Sequence, residues 1–130
     1  MRKQNGFTVL ELIIAIILLV VAGTVFYIQK RDLEVARRDS DRKTAMNAIY
    51  YNLEDIFYPT NQGYPEVLVA DQLKGLDPVL LKDPVGLEVG AEGSNYRYEA
   101  KNCTDQKCKS YTLTADLEHE ADYVKTSRNQ

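Results

Sequence analysis

The carboxylate of Glu11 is the only charged group in the longest apolar stretch of the chain, residues 7–28, which read FTVLELIIAIILLVVAGTVFYI. A carboxylate in the middle of a bilayer costs about 2.5–3.5 kcal/mol, and less near a helix end. A negative charge in a first helical turn also gains up to about 1 kcal/mol from the helix dipole. Because Glu11 lies near the start of the stretch, it either reaches the membrane surface or pairs with a positive partner.

The other reactive side chains are Cys103 and Cys108, the two cysteines of the chain. A zinc site needs four ligands, the single histidine is His119, and nothing indicates a base beside a thiol nucleophile. A disulfide is therefore predicted. Closing so short a loop contributes about 2 kcal/mol by the chain-entropy estimate. The disulfide also places this end of the chain in an oxidising space outside the cytoplasm.

The sequence offers no arrangement of residues for catalysis. It lacks a phosphate-binding glycine loop, a nucleophile elbow and an HExxH motif. The crowding of Asp116, Glu118, Glu120 and Asp122 is typical of a solvated surface. We therefore predict no enzymatic activity, no cofactor and no metal site.

The apolar stretch predicts a helix that rises about 33 Å at about 1.5 Å per residue, enough to cross the hydrocarbon core of a bilayer. It follows a short leader, MRKQNG, which is basic at Arg2 and Lys3. No small-x-small cleavage site follows the stretch, so a secretory signal peptide is not indicated. The helix is therefore retained, as a membrane anchor or as a buried assembly helix.

The segment GFTVLELI, with Gly6 before Phe7 and Glu11 four residues later, closely resembles the processing signature of type IV prepilins and secretion pseudopilins. In that family a membrane peptidase cuts after the glycine and N-methylates the new first residue. The glutamate neutralises the new amino group, commonly that of a neighbouring subunit. The resemblance implies that residues 1–6 are a cleaved leader, that Phe7 becomes the methylated N-terminus, and that Glu11 pairs with Phe7 during filament assembly.

The apolar helix departs from the family pattern near its end. Many members carry a proline there, whereas this chain has Ile28. Gly23 and Thr24 supply a weak point instead, because glycine costs about 1 kcal/mol relative to alanine inside a helix. The alternative is that Gly23 allows close helix packing.

Residues 29–58 predict the amphipathic half of the same helix. Its apolar positions recur at steps of three and four, which marks one helix face. These positions are Ala45, Met46, Ile49, Tyr50, Leu53, Ile56 and Phe57. Pro59 is expected to end the helix. The mixed charges of residues 37–43 are expected on a solvated face or in salt bridges between subunits.

Residues 59–94 predict a loop or linker region with a short helix over 66–73. The segments YPTNQGYP and LLKDPVG resemble linker motifs of small pilins and major pseudopilins. Some major pseudopilins bind calcium in a late loop, but the spacing of Asp83 and Glu88 matches no calcium loop.

Residues 95–130 predict an antiparallel sheet with a disulfide-closed hairpin. Apolar residues alternate with polar ones at Tyr96, Tyr98 and Ala100 and again over 111–117. The hairpin loop is expected between the cysteines, and a third strand over 122–126. The predicted fold is α+β and pilin-like: the apolar half of a long helix protrudes, and its amphipathic half packs on the sheet.

The resemblance implies a structural subunit of a type IV pilus that serves motility, adhesion or DNA uptake. The precursor would lie in the inner membrane and the assembled filament outside the cell. The implied partners are copies of the same chain, the prepilin peptidase and methyltransferase, the inner-membrane assembly platform and the assembly ATPase.

Two alternatives stay open. The linker resemblance also fits a pseudopilin of a type II secretion system. The second alternative is a minor pilin that binds DNA or a surface through its exposed tyrosines and Lys101, Lys107 and Lys109. Removal of the leader leaves 14 basic and 19 acidic residues, a formal charge of −5, which weighs against nucleic acid.

Overall fold

The computed structural model describes residues 6–129; residues 1–5 of the predicted leader and Gln130 lie outside the described part. The chain divides into two compact units between Val35 and Ala36. We call their described parts the N-terminal unit (6–35) and the C-terminal unit (36–129). In chain order the elements are α1 (Val9–Tyr51), a π-helix (Asn52–Phe57), α2 (Tyr58–Asn61), β1 (Tyr64–Pro65), 3-10 turns (Ala70–Gln72 and Pro78–Leu81), β2 (Tyr96–Thr104), β3 (Lys107–Ala115) and β4 (Tyr123–Thr126).

The N-terminal unit consists mainly of the first part of α1. Among the described residues, this helix is the one long and apolar enough to cross a membrane. It continues without a break through Gly23 and Thr24, where the Thr24 hydroxyl donates to the carbonyl of Val20 at 2.8 Å. Such bonds slightly destabilise helices and often bend them, and a weak point at these two residues stays a prediction.

The prediction that Pro59 ends the helix is wrong, because helical structure continues to Asn61. Proline lacks an N–H, and its ring clashes with the carbonyl four residues earlier. The π-helix before Pro59 relieves this conflict, since the N–H of Tyr58 bonds the carbonyl of Leu53, five residues back. The helix stops at Gln62, whose backbone is left-handed with a φ of 54°.

The sheet is built around β3. Strand β2 pairs with it antiparallel along one edge, from Tyr96 opposite Ala115 to Thr104 opposite Lys107. Strands β1 and β4 pair with the two ends of its other edge. One core cluster contains helix and sheet residues of the C-terminal unit. The predicted α+β class, a long N-terminal helix packed on a small antiparallel sheet, is confirmed.

The core lies between one face of the helix and the sheet. Its buried apolar residues are Ala45, Met46, Ile49, Leu53, Tyr64, Leu68, Leu73, Leu81, Val89, Tyr96, Cys108, Tyr111, Leu113 and Ala115. The prediction that Ile56 belongs to this face is wrong: its side chain is 48% exposed, and Glu54 is buried instead. The π-helix turns less per residue than an α-helix, so the inward face shifts within it.

The hairpin loop is shorter than the predicted loop between the cysteines. Strands β2 and β3 extend past Cys103 and Cys108, which lie opposite each other and form a disulfide. The turn itself is Asp105–Gln106, with φ of 52° and 64°. Two central residues with positive φ match the twist of the flanking strands, as in a type I′ turn.

The predicted loop region 59–94 begins too early and contains more structure than expected. It includes the end of α2, the short strand β1 and the two 3-10 turns. The predicted helix over 66–73 is reduced to the turn Ala70–Gln72. Eight residues with β-branched Val67 and Val69 are too few to offset the cost of helix nucleation.

Candidate assembly site and the contacts that support it

The start of α1 is closed by a capping box formed by Thr8 and Glu11. The Glu11 Oε2 atom accepts from the Thr8 N–H at 2.9 Å and from the Thr8 hydroxyl at 3.1 Å. The Thr8 hydroxyl oxygen in turn accepts from the Glu11 N–H at 3.3 Å. These bonds satisfy two of the backbone donors that a helix N-terminus leaves open. The carboxylate of Glu11 is therefore held at the extreme end of the helix.

The capping box brings Glu11 close to the predicted cleavage position. Phe7 directly precedes Thr8, and its side chain is 88% exposed. A Cβ at Gly6 would meet no atom within 4 Å, so the packing of the described chain does not require glycine there. The three candidate residues thus lie at one exposed helix end, where the Glu11 carboxylate accepts from the N–H of the residue that follows Phe7.

The apolar surface of the N-terminal unit is not covered by other described residues. Its exposed large side chains include Val9, Leu10, Leu12, Ile13, Ile14, Ile16, Ile17, Leu18, Leu19, Val20, Val21, Val25, Phe26, Tyr27 and Ile28. Soluble monomers rarely expose apolar patches larger than a few hundred Å². This surface therefore requires lipid or other protein chains around it.

The mixed-charge run 37–43 of the C-terminal unit is partly exposed, as at Arg37 and Asp41, and partly enclosed within the same chain. Asp39 and Arg42 are buried and pair at 2.7 Å. Arg42 also reaches Glu118 at 2.9 Å, and Arg38 contacts Glu118 at 2.6 Å. The backbone N–H groups of Glu118 and His119 donate to Asp39. The network ties the segment after β3 to the helix.

The carboxylates of this network are held in their charged form. Burial by itself raises the pKa of Asp39, but the backbone N–H groups of Glu118 and His119 outweigh it. The guanidinium of Arg42 adds to this effect, so the pKa of Asp39 lies below its usual range. The hydrogen bonds from Arg38 lower the pKa of Glu118 to about 2, against a partial burial that raises it.

The other crowded acids lie at the surface, with 38–61% of their side chains exposed, and form ion pairs there. Arg97 contacts Asp116 at 2.6 Å and Asp122 at 3.1 Å. Lys43 contacts Glu120 at 2.6 Å. Sequence spacing did not reveal these pairs because their members are 19 to 77 positions apart.

The carboxylate of Glu54 is a buried polar centre that the sequence analysis missed. It accepts hydrogen bonds from the hydroxyls of Tyr111 at 2.9 Å and Tyr64 at 3.0 Å, and from the Arg128 N–H at 3.2 Å. Burial and then the charge of Glu54 raise the pKa of Tyr111 far above its usual value. In a continuous α-helix Glu54 would lie beside the buried apolar face. The π-helix turns its side chain inward.

Asp83 of the LLKDPVG segment organises its own loop. Its Oδ1 accepts from the N–H groups of Val85 and Leu87, and its Oδ2 from the backbone and side chain of Asn95. Burial raises its pKa, but these hydrogen bonds outweigh burial and lower the pKa below its usual range. Both oxygens are occupied by N–H donors, so Asp83 acts as a loop clamp rather than as a cation ligand.

The residues of the predicted DNA-binding surface are only partly brought together. Lys107 and Lys109 line a groove of about 460 Å³ beside the disulfide, and Lys101 is not among its lining residues. Tyr64, Tyr96 and Tyr111 are buried in the core. Stacking of bases requires exposed rings, so these three tyrosines do not provide it.

Residues 1–27 match the family model of the prokaryotic N-terminal methylation motif. The match covers the leader and nearly all of the apolar stretch, the residues on which the resemblance to type IV prepilins and pseudopilins rests. Searches among curated proteins and among solved structures gave no match.

The motif supports a type IV pilin or pseudopilin, and it points to a structural subunit rather than to an enzyme. It implies processing by a prepilin peptidase and assembly into a pilus or pseudopilus. Together with the apolar helix, it fits a membrane-anchored precursor that later joins an extracellular filament.

Proposed function

We propose that this protein is a structural subunit of a type IV pilus filament used for motility, adhesion or DNA uptake. The observation that carries the proposal is the methylation motif at the head of a long, exposed apolar helix. The precursor lies in the inner membrane until the assembly platform and its ATPase move the helix from lipid into a bundle of identical helices.

Cleavage after Gly6 and N-methylation of Phe7 create a cation at the start of this helix. Glu11 is the carboxylate that pairs with it, mainly on a neighbouring copy. The capping box supports this role, since both bonds from Thr8 end on Oε2 and, within the described residues, Oε1 accepts none. Removing one partner of a buried ion pair costs about 3–5 kcal/mol, so a misaligned copy is strongly disfavoured.

Gly23 and Thr24 are the proposed weak point of the helix. Gly23 has no neighbouring atom that a Cβ would meet, and Thr24 already bonds the carbonyl of Val20. Helix packing in the bundle then bends the chain at this position rather than elsewhere in the apolar stretch.

The test is incorporation of Glu11→Ala into filaments in cells that also make the wild-type chain. We expect normal cleavage but at least about tenfold less variant in sheared filaments, since about 1.4 kcal/mol corresponds to a factor of ten. Asp32→Ala, which removes an exposed carboxylate on the same helix, is the control. Mass spectrometry of the filament should find methylated Phe7 as the first residue. Equal incorporation of Glu11→Ala, or mature material beginning at Met1, would contradict the proposal.

A pseudopilin of a type II secretion system is the second candidate. The Asp83 clamp keeps this candidate open, because it holds closed the LLKDPVG segment, which resembles a linker motif of major pseudopilins as well as of small pilins. Abundance separates the candidates: a major pilin dominates sheared surface filaments, whereas a pseudopilin is scarce there and its deletion blocks protein secretion.

A further inference from the structure

An exposed apolar surface with acidic residues lies in the C-terminal unit, beside the end of the helix. Two adjacent cavities of about 360 and 330 Å³ share Phe57, Asn61 and Gln72. Their apolar lining is Ile56, Phe57, Pro65, Val67 and Val69, and their acidic lining is Glu66, Asp71 and Asp105. We call these eight residues the Val67 surface.

The Val67 surface is not completed by its own chain. The side chain of Val67 is 64% exposed, and Ile56 and Val69 are also exposed. Among the described residues, the three acids of the surface form no ion pair. This contrasts with the acids after β3, which are all paired. Two lysines, Lys74 and Lys107, also line the cavities and leave an excess of one negative charge.

A complementary stripe lies on α1. Phe26, Lys30, Leu33 and Arg37 follow at spacings of four, three and four residues, which places them on one helix face. Phe26 and Leu33 are 71% and 72% exposed. The Nζ atom of Lys30 is 4.0 Å from the Oε1 atom of Glu34, and both side chains are more than half exposed. The stripe thus alternates apolar and basic residues, whereas the Val67 surface combines apolar and acidic ones.

We infer that the Phe26–Arg37 stripe of one copy docks on the Val67 surface of another copy. Proteins often bind an amphipathic helix in an apolar groove, through side chains spaced three or four residues apart on one helix face. Charge complementarity selects this occupant, because Lys30 and Arg37 meet the unpaired Glu66, Asp71 and Asp105. The two surfaces differ, so the contact is heterologous and leads from copy to copy instead of closing a pair. The inference rests on the proposed function, since it places the contact in the filament.

Engineered cysteines test the contact directly, because Cys103 and Cys108 are bonded to each other and no free cysteine interferes. Two differently tagged full-length copies, Leu33→Cys and Val67→Cys, are co-expressed, and sheared filaments are oxidised. We expect a mixed disulfide dimer. The control replaces Val67→Cys with Val124→Cys, an exposed valine on β4, and should give at most a tenth of that dimer.

A second variant keeps the inference falsifiable. Val67→Glu should enter filaments at least about fivefold less than Val124→Glu, with equal cleavage of both precursors. If wild-type filaments form but neither the Leu33–Val67 cross-link nor the incorporation defect appears, the inference is wrong and the proposed function stands. If the processed wild-type chain is found in no filament, the proposed function itself fails. If the Val67→Glu chain does not accumulate in cells, the cross-link between Leu33→Cys and Val67→Cys by itself still supports the contact.

Discussion

In the N-terminal unit apolar side chains are exposed, and the carboxylate of Glu11 is held by its own helix end. In the C-terminal unit apolar side chains are buried, and even charged groups such as Asp39, Arg42 and Glu54 are enclosed with partners from the same chain. The first unit leaves its interactions to lipid or to other chains, and the second completes most of its own. The difference separates two consequences of mutation, loss of assembly and loss of folding.

This separation predicts that Glu11→Ala acts on filaments without affecting the unfolding of the C-terminal unit. The corresponding carboxylate of the C-terminal unit, Glu54, should show the opposite behaviour. Both carboxylates lie on the same helical run, which makes them a matched pair.

The largest expected effect on stability is that of Glu54→Ala. Truncation leaves the hydroxyls of Tyr64 and Tyr111 and the Arg128 N–H without their acceptor, at about 1–3 kcal/mol for each buried group. Allowing for relaxation, we expect a loss of about 3 kcal/mol in the free energy of unfolding. Urea unfolding of the full-length chain in detergent measures it, with Glu99→Ala on β2 as an exposed control. A loss below about 0.5 kcal/mol would show that the buried carboxylate is not a structural centre.

A smaller effect is expected from removing the disulfide. Replacing both Cys103 and Cys108 by serine opens a loop whose closure contributes about 2 kcal/mol. The hairpin should still form, because Asp105–Gln106 already has the positive φ values of its turn. Chemical unfolding of oxidised and reduced wild-type chain provides the same comparison without mutation, and the two losses should agree. Unequal losses would mean that the serines disturb the groove beside the disulfide.

The smallest expected effect is a loss of stability at acidic pH. The folded pKa of Glu118 is about 2, below the unfolded value of about 4.3. Its contribution to stability is therefore fully present above about pH 4.3 and is lost as the pH falls towards 2. The stability difference between wild type and Glu118→Gln should be visible by thermal unfolding at pH 6 and shrink through that window. A difference that stays constant down to pH 2 would exclude ionic pairing with Arg38 as its source.

Several features of the fold follow directly from local sequence. The alternation of apolar and polar residues predicted β2 and β3. The recurrence of apolar residues every three or four positions predicted the buried helix face at Ala45, Met46 and Ile49. The end of the helix was misplaced because Pro59 is a reliable stop only for α-helical hydrogen bonding. A π-helix uses a different bonding pattern, which periodicity does not reveal.

The candidate site and its supporting contacts also include a part that local sequence predicts and a part that it does not. Gly6, Phe7 and Glu11 are neighbours in sequence, so their type and spacing were sufficient to single them out. The Thr8–Glu11 capping box is also local and follows the T-x-x-E pattern. By contrast, the partners of Arg42, Glu54 and Asp83 come from segments brought together only by folding.

The sequence by itself determined where the apolar helix lies, where the leader motif lies and which segments form strands, because these depend on neighbours within a few residues. Only the tertiary structure decided which charges are buried and which acids remain unpaired. The physical reason is that the cost of a buried charge depends on donors supplied by distant segments. The same residue type is therefore a core acceptor at Glu54 and an open surface group at Glu66.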